Sequence, residues 1–324
     1  GAKAAPELKA GAEKSKSSEL SQSELESRLA DEAGPLRNFV SLVECSIHSG
    51  RIAEVEALVD REAILSRATT QISIEGDQTV RNLFCDSTKR AWDERGVTKD
   101  YAGTKFVFLR ARNVGGRDGL LFRSSSPGGG INYALFTVTE AKPGDFRITD
   151  IFVVGLNEFL SDTLQRTWVN VAAGLLEKQT TPVKGVDPAY VANIQGVAEM
   201  SRQLQAGKPE AVLSAALKLP ESVQKARTVM LMRIEAAERV SAEERDAAYA
   251  AWLTVYPDEM DLPLKFAHFY TSHQRWDDAA RVIRKLMAKL GEDAMLKMEL
   301  GNILYRRESE EKLASAAGLS AKKS

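Results

Sequence analysis

The sequence predicts an α+β first half, with helices packed on a curved antiparallel sheet, followed by an all-α second half of helical hairpins. Three observations carry that prediction. Between residues 105 and 154, four runs rich in Phe, Val, Ile, Leu and Thr are separated by short Gly/Pro loops, and such short connections join antiparallel strands rather than parallel ones. Ahead of them, apolar residues recur at three and four, the period of an amphipathic helix. From Ala189 onward that period persists, broken only at Gly207-Lys-Pro209, Leu219-Pro-Glu221, Tyr256-Pro-Asp258 and Gly291-Glu-Asp293; evenly spaced breaks point to a repeat array.

With 324 residues the chain has room for about two domains. The pattern divides it into a leader (1–33), the α+β domain (34–170), a Pro/Gly connector (171–188), helical repeats (189–308) and a tail (309–324). The leader is Ala, Lys, Glu and Ser with few large apolar side chains, too polar to build a core and expected to be disordered or partly helical. Within it, Ser21/Glu24 and Ser23/Glu26 have capping-box spacing, so a short helix is expected there. A polar, Ala/Lys-rich start without an initiator Met is what remains after a secretory signal is cut away. The expectation is therefore a bacterial-type exported, periplasmic protein, with a trimmed cytoplasmic tail as the alternative. No window approaches the ~18 apolar residues of a spanning helix.

From Pro35, the residues Leu36, Phe39, Val40, Val43 and Ile47 share one helical face, with Pro in the first turn and Gly50 beyond the end. A second helix is predicted over 52–59, a short strand over 62–68 and a third helix over 77–95. The extended runs are 105–112, 119–125, 131–139 and 146–154, and a final turn over 156–168 leads out of the sheet. The glycine clusters at 113–119 and 126–130 run from strand to strand with no Gly-Lys-Ser/Thr. They are hairpin loops, not phosphate cradles.

Two or three helices followed by an antiparallel meander resemble the NTF2-like (cystatin-like) superfamily over roughly residues 34–168. The most specific stretches are Ser49-Gly-Arg-Ile-Ala-Glu-Val-Glu-Ala-Leu-Val-Asp-Arg-Glu-Ala-Ile-Leu65 and Phe146-Arg-Ile-Thr-Asp-Ile-Phe-Val-Val154. The resemblance implies a sheet curled into a cone-shaped pocket and homodimerisation through the open sheet face. By strict alternation, Phe146, Ile148, Asp150, Phe152 and Val154 share one face. Asp150 is then an acid among apolar side chains, a candidate polar anchor for the pocket. Phe106 and Phe108 share a face with Arg110 and Arg112, so Arg110 is the expected ion-pair partner of Asp150. His48 lies near the end of its helix and no His falls in the meander, so no acid–base pair is visible.

In the second half, Ala267, Tyr270, Trp276, Ala279 and Ile283 fall on the small, aromatic, aromatic, small and large positions of a 34-residue unit. Leu300, Gly301 and Leu304 follow at the same spacing, as do Tyr249, Trp252 and Pro257 before it, although Arg245 stands where a small residue belongs. Residues 190–220 give a weaker copy with Ala211 and Ala215. This half resembles tetratricopeptide (TPR) repeats, with a generic helical-hairpin array as the alternative. The resemblance implies a concave peptide groove lined by Arg227, Met230, Ile234, Leu264, His268, Thr271, Met298, Asn302 and Tyr305. Asn302 falls on a position of the family's carboxylate clamp, but Met298 and Leu264 replace the clamp lysines. An amphipathic or extended protein partner is expected instead.

Composition narrows the chemistry. Residues 34–170 carry 17 basic and 17 acidic side chains, and 171–324 carry 22 and 21, so neither half has the surplus that attracts nucleic-acid phosphates. Three His and two Cys make no zinc cluster; His268 and His273, five apart, do not share a helical face. Neither a metal nor a cofactor is expected. Cys45 and Cys85 read as two buried thiols, with a disulfide as the alternative. The functional expectation is a non-catalytic interaction or scaffold protein using the groove. The alternative is a small-ligand-binding protein or enzyme using the cone pocket, with Asp150 and Arg110 as its polar residues.

Overall fold

The structure is a computed structural model and describes residues 19–70, 78–126, 130–154, 157–172, 187–256 and 263–316. Most of the leader and connector, the loop centre at 127–129, the Pro257 break and the last eight residues therefore lie outside the described residues.

Helix α1 (Gln22–Leu29) opens with the expected capping box: the Ser21 backbone N–H donates to Glu24 at 2.8 Å, and Ser21 Oγ accepts from the Glu24 N–H. This end of the leader is not a polar tail. Leu20, Leu25 and Leu29 are buried among the side chains of the first core. Helices α2 (Pro35–His48), α3 (Ile52–Glu56), α4 (Arg61–Thr70) and α5 (Gln78–Arg95) follow. The strand expected over 62–68 is instead part of α4, where Ile64, Leu65 and Ala68 recur at helical spacing and are fully buried. Extended pairing is confined to the residues just before it: Val59 bridges Ile148 in parallel.

The sheet is antiparallel, in the order β1 (Lys105–Val114), β2 (Arg117–Ser125), β3 (Ile131–Lys142), β4 (Asp145–Val153) and β5 (Glu158–Phe159). Its four long strands are the four runs read from the sequence. Three register shifts break the strict alternation: between Phe108 and Arg110, where Asp150 and Ile148 pair Thr137 and Val138, and between Glu140 and Lys142 near the end of β3. One extra residue moves every later side chain to the opposite face. Phe106, Phe146 and Ile148 accordingly belong to the core under the helices, whereas Val114, Phe152 and Val154 belong to a second core on the other face. The shared faces expected for 106–112 and 146–154 do not exist.

After α6 (Leu160–Val171), the helices among the described residues are α7 (Pro188–Ala192), α8 (Ile194–Gln205), α9 (Pro209–Ala216), α10 (Glu221–Gln224), α11 (Arg227–Val240), α12 (Ala242–Val255), α13 (Pro263–Ser272), α14 (Trp276–Leu290) and α15 (Ala294–Ala316). From α8 onward the long helices pack chiefly on their chain neighbours, the pattern of stacked hairpins. The last helix runs well past residue 308, where the repeats were expected to end.

The second core joins the two halves. It contains Leu121, Leu135 and Phe152 from the sheet together with Leu286, Leu290 and Leu296 from α14 and α15. At its edge, Arg112 donates to the carbonyls of Lys289 and Ala288 at 3.1 and 2.9 Å, and Arg110 donates to that of Glu292. Two cations thus meet the negative end of the α14 dipole. Gly291 permits the approach: its φ is +86°, and a Cβ there would lie 2.5 Å from Arg110 Nη1. Asp293, the residue ahead of α15, accepts from Arg123 at 2.5 Å and from the Tyr133 hydroxyl at 2.8 Å. The sheet face expected to form a homodimer is therefore occupied by the chain's own helices. The cysteines are two free thiols, as expected, but neither is fully buried: Cys45 is exposed and Cys85 half-buried.

Candidate functional site

Asp150 is fully buried, but its partner is not Arg110. The β1 bulge sends Arg110 to the junction with α14, while Arg117, the residue immediately after the tight Gly115-Gly116 turn, donates to Asp150 at 2.6 Å. The Ser161 hydroxyl and N–H and the Ile151 N–H complete the carboxylate's bonds, and Arg67 stands at 3.6 Å. The Arg117 guanidinium also lies over the Phe159 ring, 4.0 Å from its centroid. Asp162, 3.9 Å from Arg117, has its carboxyl raised by burial, which the Arg117 charge opposes. An aspartate this fully bonded has no lone pair to offer a ligand. It is a structural clasp joining the sheet, α4 and α6.

Aromatic rings pack the centre of the expected cone. Phe106 stacks on Phe122 at 4.9 Å, Phe122 meets Phe136 at 5.1 Å, and Tyr101 lies 5.3 Å from Phe106.

The groove residues separate into three groups. Met230 and Ile234 are buried in the second core at 3% and 2% exposure and line no groove. Leu264 packs half-buried against the same core, and Thr271 spends its hydroxyl on the carbonyls of Ala267 and His268. His268, Met298, Asn302 and Tyr305 are exposed, Met298 by 50% and Tyr305 by 72%. The last three recur at four and three, so they form one stripe along α15.

Beside that stripe lies a hollow of about 470 Å³ between α11, α12, α13 and α15, lined by Glu238, Arg245, Tyr249, Lys265, His268, Phe269, Thr271, Ser272 and Arg306. Lys265 donates to both oxygens of Glu238 at 2.9 Å, and the Tyr249 hydroxyl donates to the same carboxylate at 2.5 Å. Burial pushes the Tyr249 phenol up, with Glu238 adding to the effect. Asp246 meets Arg245 at 3.0 Å and His273 at 2.8 Å. Arg306 differs from these cations in having no acidic partner among the described residues.

No family model, curated protein or solved structure matches the chain. The fold and the side-chain geometry therefore carry the functional reading alone. Among the described residues, no three His, Cys, Asp or Glu side chains cluster as a metal site, and no helix is long and apolar enough to cross a membrane.

Sequence reasoning missed Arg117, Ser161 and Arg67 at Asp150, and Arg306 and Lys265 at the hollow. Arg117 carried no usable signal, because the sequence placed it in the 113–119 loop, whereas it is the first residue of β2. Arg306 did carry one: it follows Tyr305 on a helix whose apolar positions were already in register.

Proposed function

We propose that this chain is a non-catalytic interaction protein whose helical array, read as TPR-like, holds an extended segment of a protein partner. The NTF2-like reading of the first half makes that half a rigid support, with its aromatic centre packed beneath and the array seated on its outer sheet face. The observation that carries the proposal is the exposed stripe of Met298, Asn302 and Tyr305 bordering a hollow in which Arg306 lacks an acidic partner. Such a surface offers apolar area beside an uncompensated cation, which suits a segment pairing an apolar residue with an acidic one. An exported protein would meet this partner outside the cytoplasm.

The test places a photo-crosslinking amino acid at Tyr305, with a control at exposed Leu217, which lines neither the hollow nor the stripe. Incubation with extract of the source cells should give a discrete adduct from position 305, lost when Arg306→Ala and Met298→Ala are added. Crosslinking equal to the Leu217 control refutes the groove.

A further inference from the structure

A second concavity lies in the first half, walled in part by Ile151 and Leu160, the chain neighbours of Asp150 and Ser161, and belongs to neither the hollow nor the stripe. Its volume is about 490 Å³, within the range of small-molecule sites. Val97, Ile151, Val153 and Leu160 provide apolar walls, and its polar groups come from Asp100, Tyr101, Ser124 and Asn132.

Three of these polar groups are unspent. The Tyr101 hydroxyl has no hydrogen-bond partner among the described residues, although the residue is only 8% exposed. The Ser124 hydroxyl, on a residue 6% exposed, is likewise unpartnered. Neither oxygen is among the buried unsatisfied atoms, so both hydroxyls reach the open cleft and can trade water for a ligand's polar groups. The Asp100 carboxylate makes no ion pair or hydrogen bond among the described residues, and it is the only charged side chain in the lining. Burial, followed by the Asp100 charge, pushes the Tyr101 phenol up and keeps it a donor.

The cleft is also held in shape. Glu56 accepts from the Val97 N–H at 2.7 Å, the Thr98 N–H at 2.5 Å and the Thr98 hydroxyl at 2.7 Å. These bonds lock the segment that presents Asp100 and Tyr101 before any ligand arrives, which lowers the entropic cost of binding.

From this geometry we infer that the cleft binds a small amphipathic organic cation: an amine whose apolar body carries a hydroxyl or carbonyl oxygen. Asp100 takes the ammonium, the apolar walls take the body, and Tyr101 donates to the oxygen. An anion meets a carboxylate with no compensating cation, and a purely apolar molecule leaves both hydroxyls unsatisfied.

Three probes with the same ring and hydroxyl but different charge test this: 4-hydroxyphenethylamine, 4-ethylphenol and 3-(4-hydroxyphenyl)propionate, titrated into the full chain and followed by amide chemical shifts. The amine should bind at least about tenfold more tightly than the carboxylate, with 4-ethylphenol between them. Shifts should map to Val97, Ser124 and Thr163. Asp100→Asn should bring the amine-to-carboxylate ratio within about twofold. Tyr101→Phe removes only an unpartnered hydroxyl and so should fold normally while weakening all three probes. No amine binding, a wild-type ratio near one, a ratio unchanged by Asp100→Asn, or shifts mapping elsewhere overturns the assignment.

Discussion

Replacing Asp293 by Ala should loosen the junction between the sheet and the helical array. The Asp293 side chain is 6% exposed and that of Arg123 is 14% exposed, and their 2.5 Å contact is joined by the Tyr133 hydroxyl at 2.8 Å. Removing one member of a buried ion pair typically costs about 3–5 kcal/mol, because the other charge is left uncompensated. Arg123 retains some access to water, which favours the lower end. The carboxylate also accepts from the Met295 N–H at 3.2 Å at the start of α15, and losing such a cap costs about 1 kcal/mol. The two losses share one side chain and do not simply add, so the expected total is about 3–4 kcal/mol, read from urea unfolding at pH 7. Burial opposes ionisation of Asp293, but its bonds to Arg123 and Tyr133 outweigh it and hold the carboxyl below the ordinary range. A depressed carboxyl stabilises the fold fully above its unfolded value, near about 4. That contribution fades as pH falls through the lower folded value. The gap between wild type and Asp293→Ala should therefore be full at pH 7 and narrow only below pH ~4. A cost under about 1 kcal/mol at pH 7, or a gap that widens on acidification, refutes the buried-pair reasoning.

Gly291→Ala should cost about 2–3 kcal/mol, because it combines a left-handed φ with a collision against Arg110, whereas Gly116→Ala, at φ +81° with open space around it, should cost only about 1 kcal/mol. Equal costs in the same urea titration would mean that Arg110 is not seated against α14. Arg117→Met should cost about 3 kcal/mol by stranding the fully buried Asp150. Arg110→Met leaves Asp150 untouched, so acid-induced unfolding of that variant should begin no earlier than in wild type; earlier onset would restore Arg110 as the Asp150 partner.

Local signals in the sequence were reliable where the decisive contacts are local. The Ser21/Glu24 capping box, Pro at the start of α2 and the four extended runs all rest on interactions spanning a few residues, and all stand in the fold. The segment 62–68 misled because a short apolar run such as Ala63-Ile64-Leu65 suits either state; the helix follows from burial of Ile64, Leu65 and Ala68 on one side. At the candidate site, the exposure of Met298, Asn302 and Tyr305 agreed with their helical register. Met230 and Ile234 did not, since the same register leaves open which face a neighbouring element covers.

Periodicity and composition by themselves determined the α+β half, the helical half and the near-balanced charge of each. Tertiary structure alone decided which side chains meet. Two bulges of one residue each moved Arg110 away from Asp150 and brought Arg117 to it, and the α14–α15 corner closed over the sheet face that was expected to dimerise. The physical reason is that a strand's alternation is a parity. A single inserted residue reverses it, and whether a bulge forms depends on the partner strand rather than on the strand's own sequence.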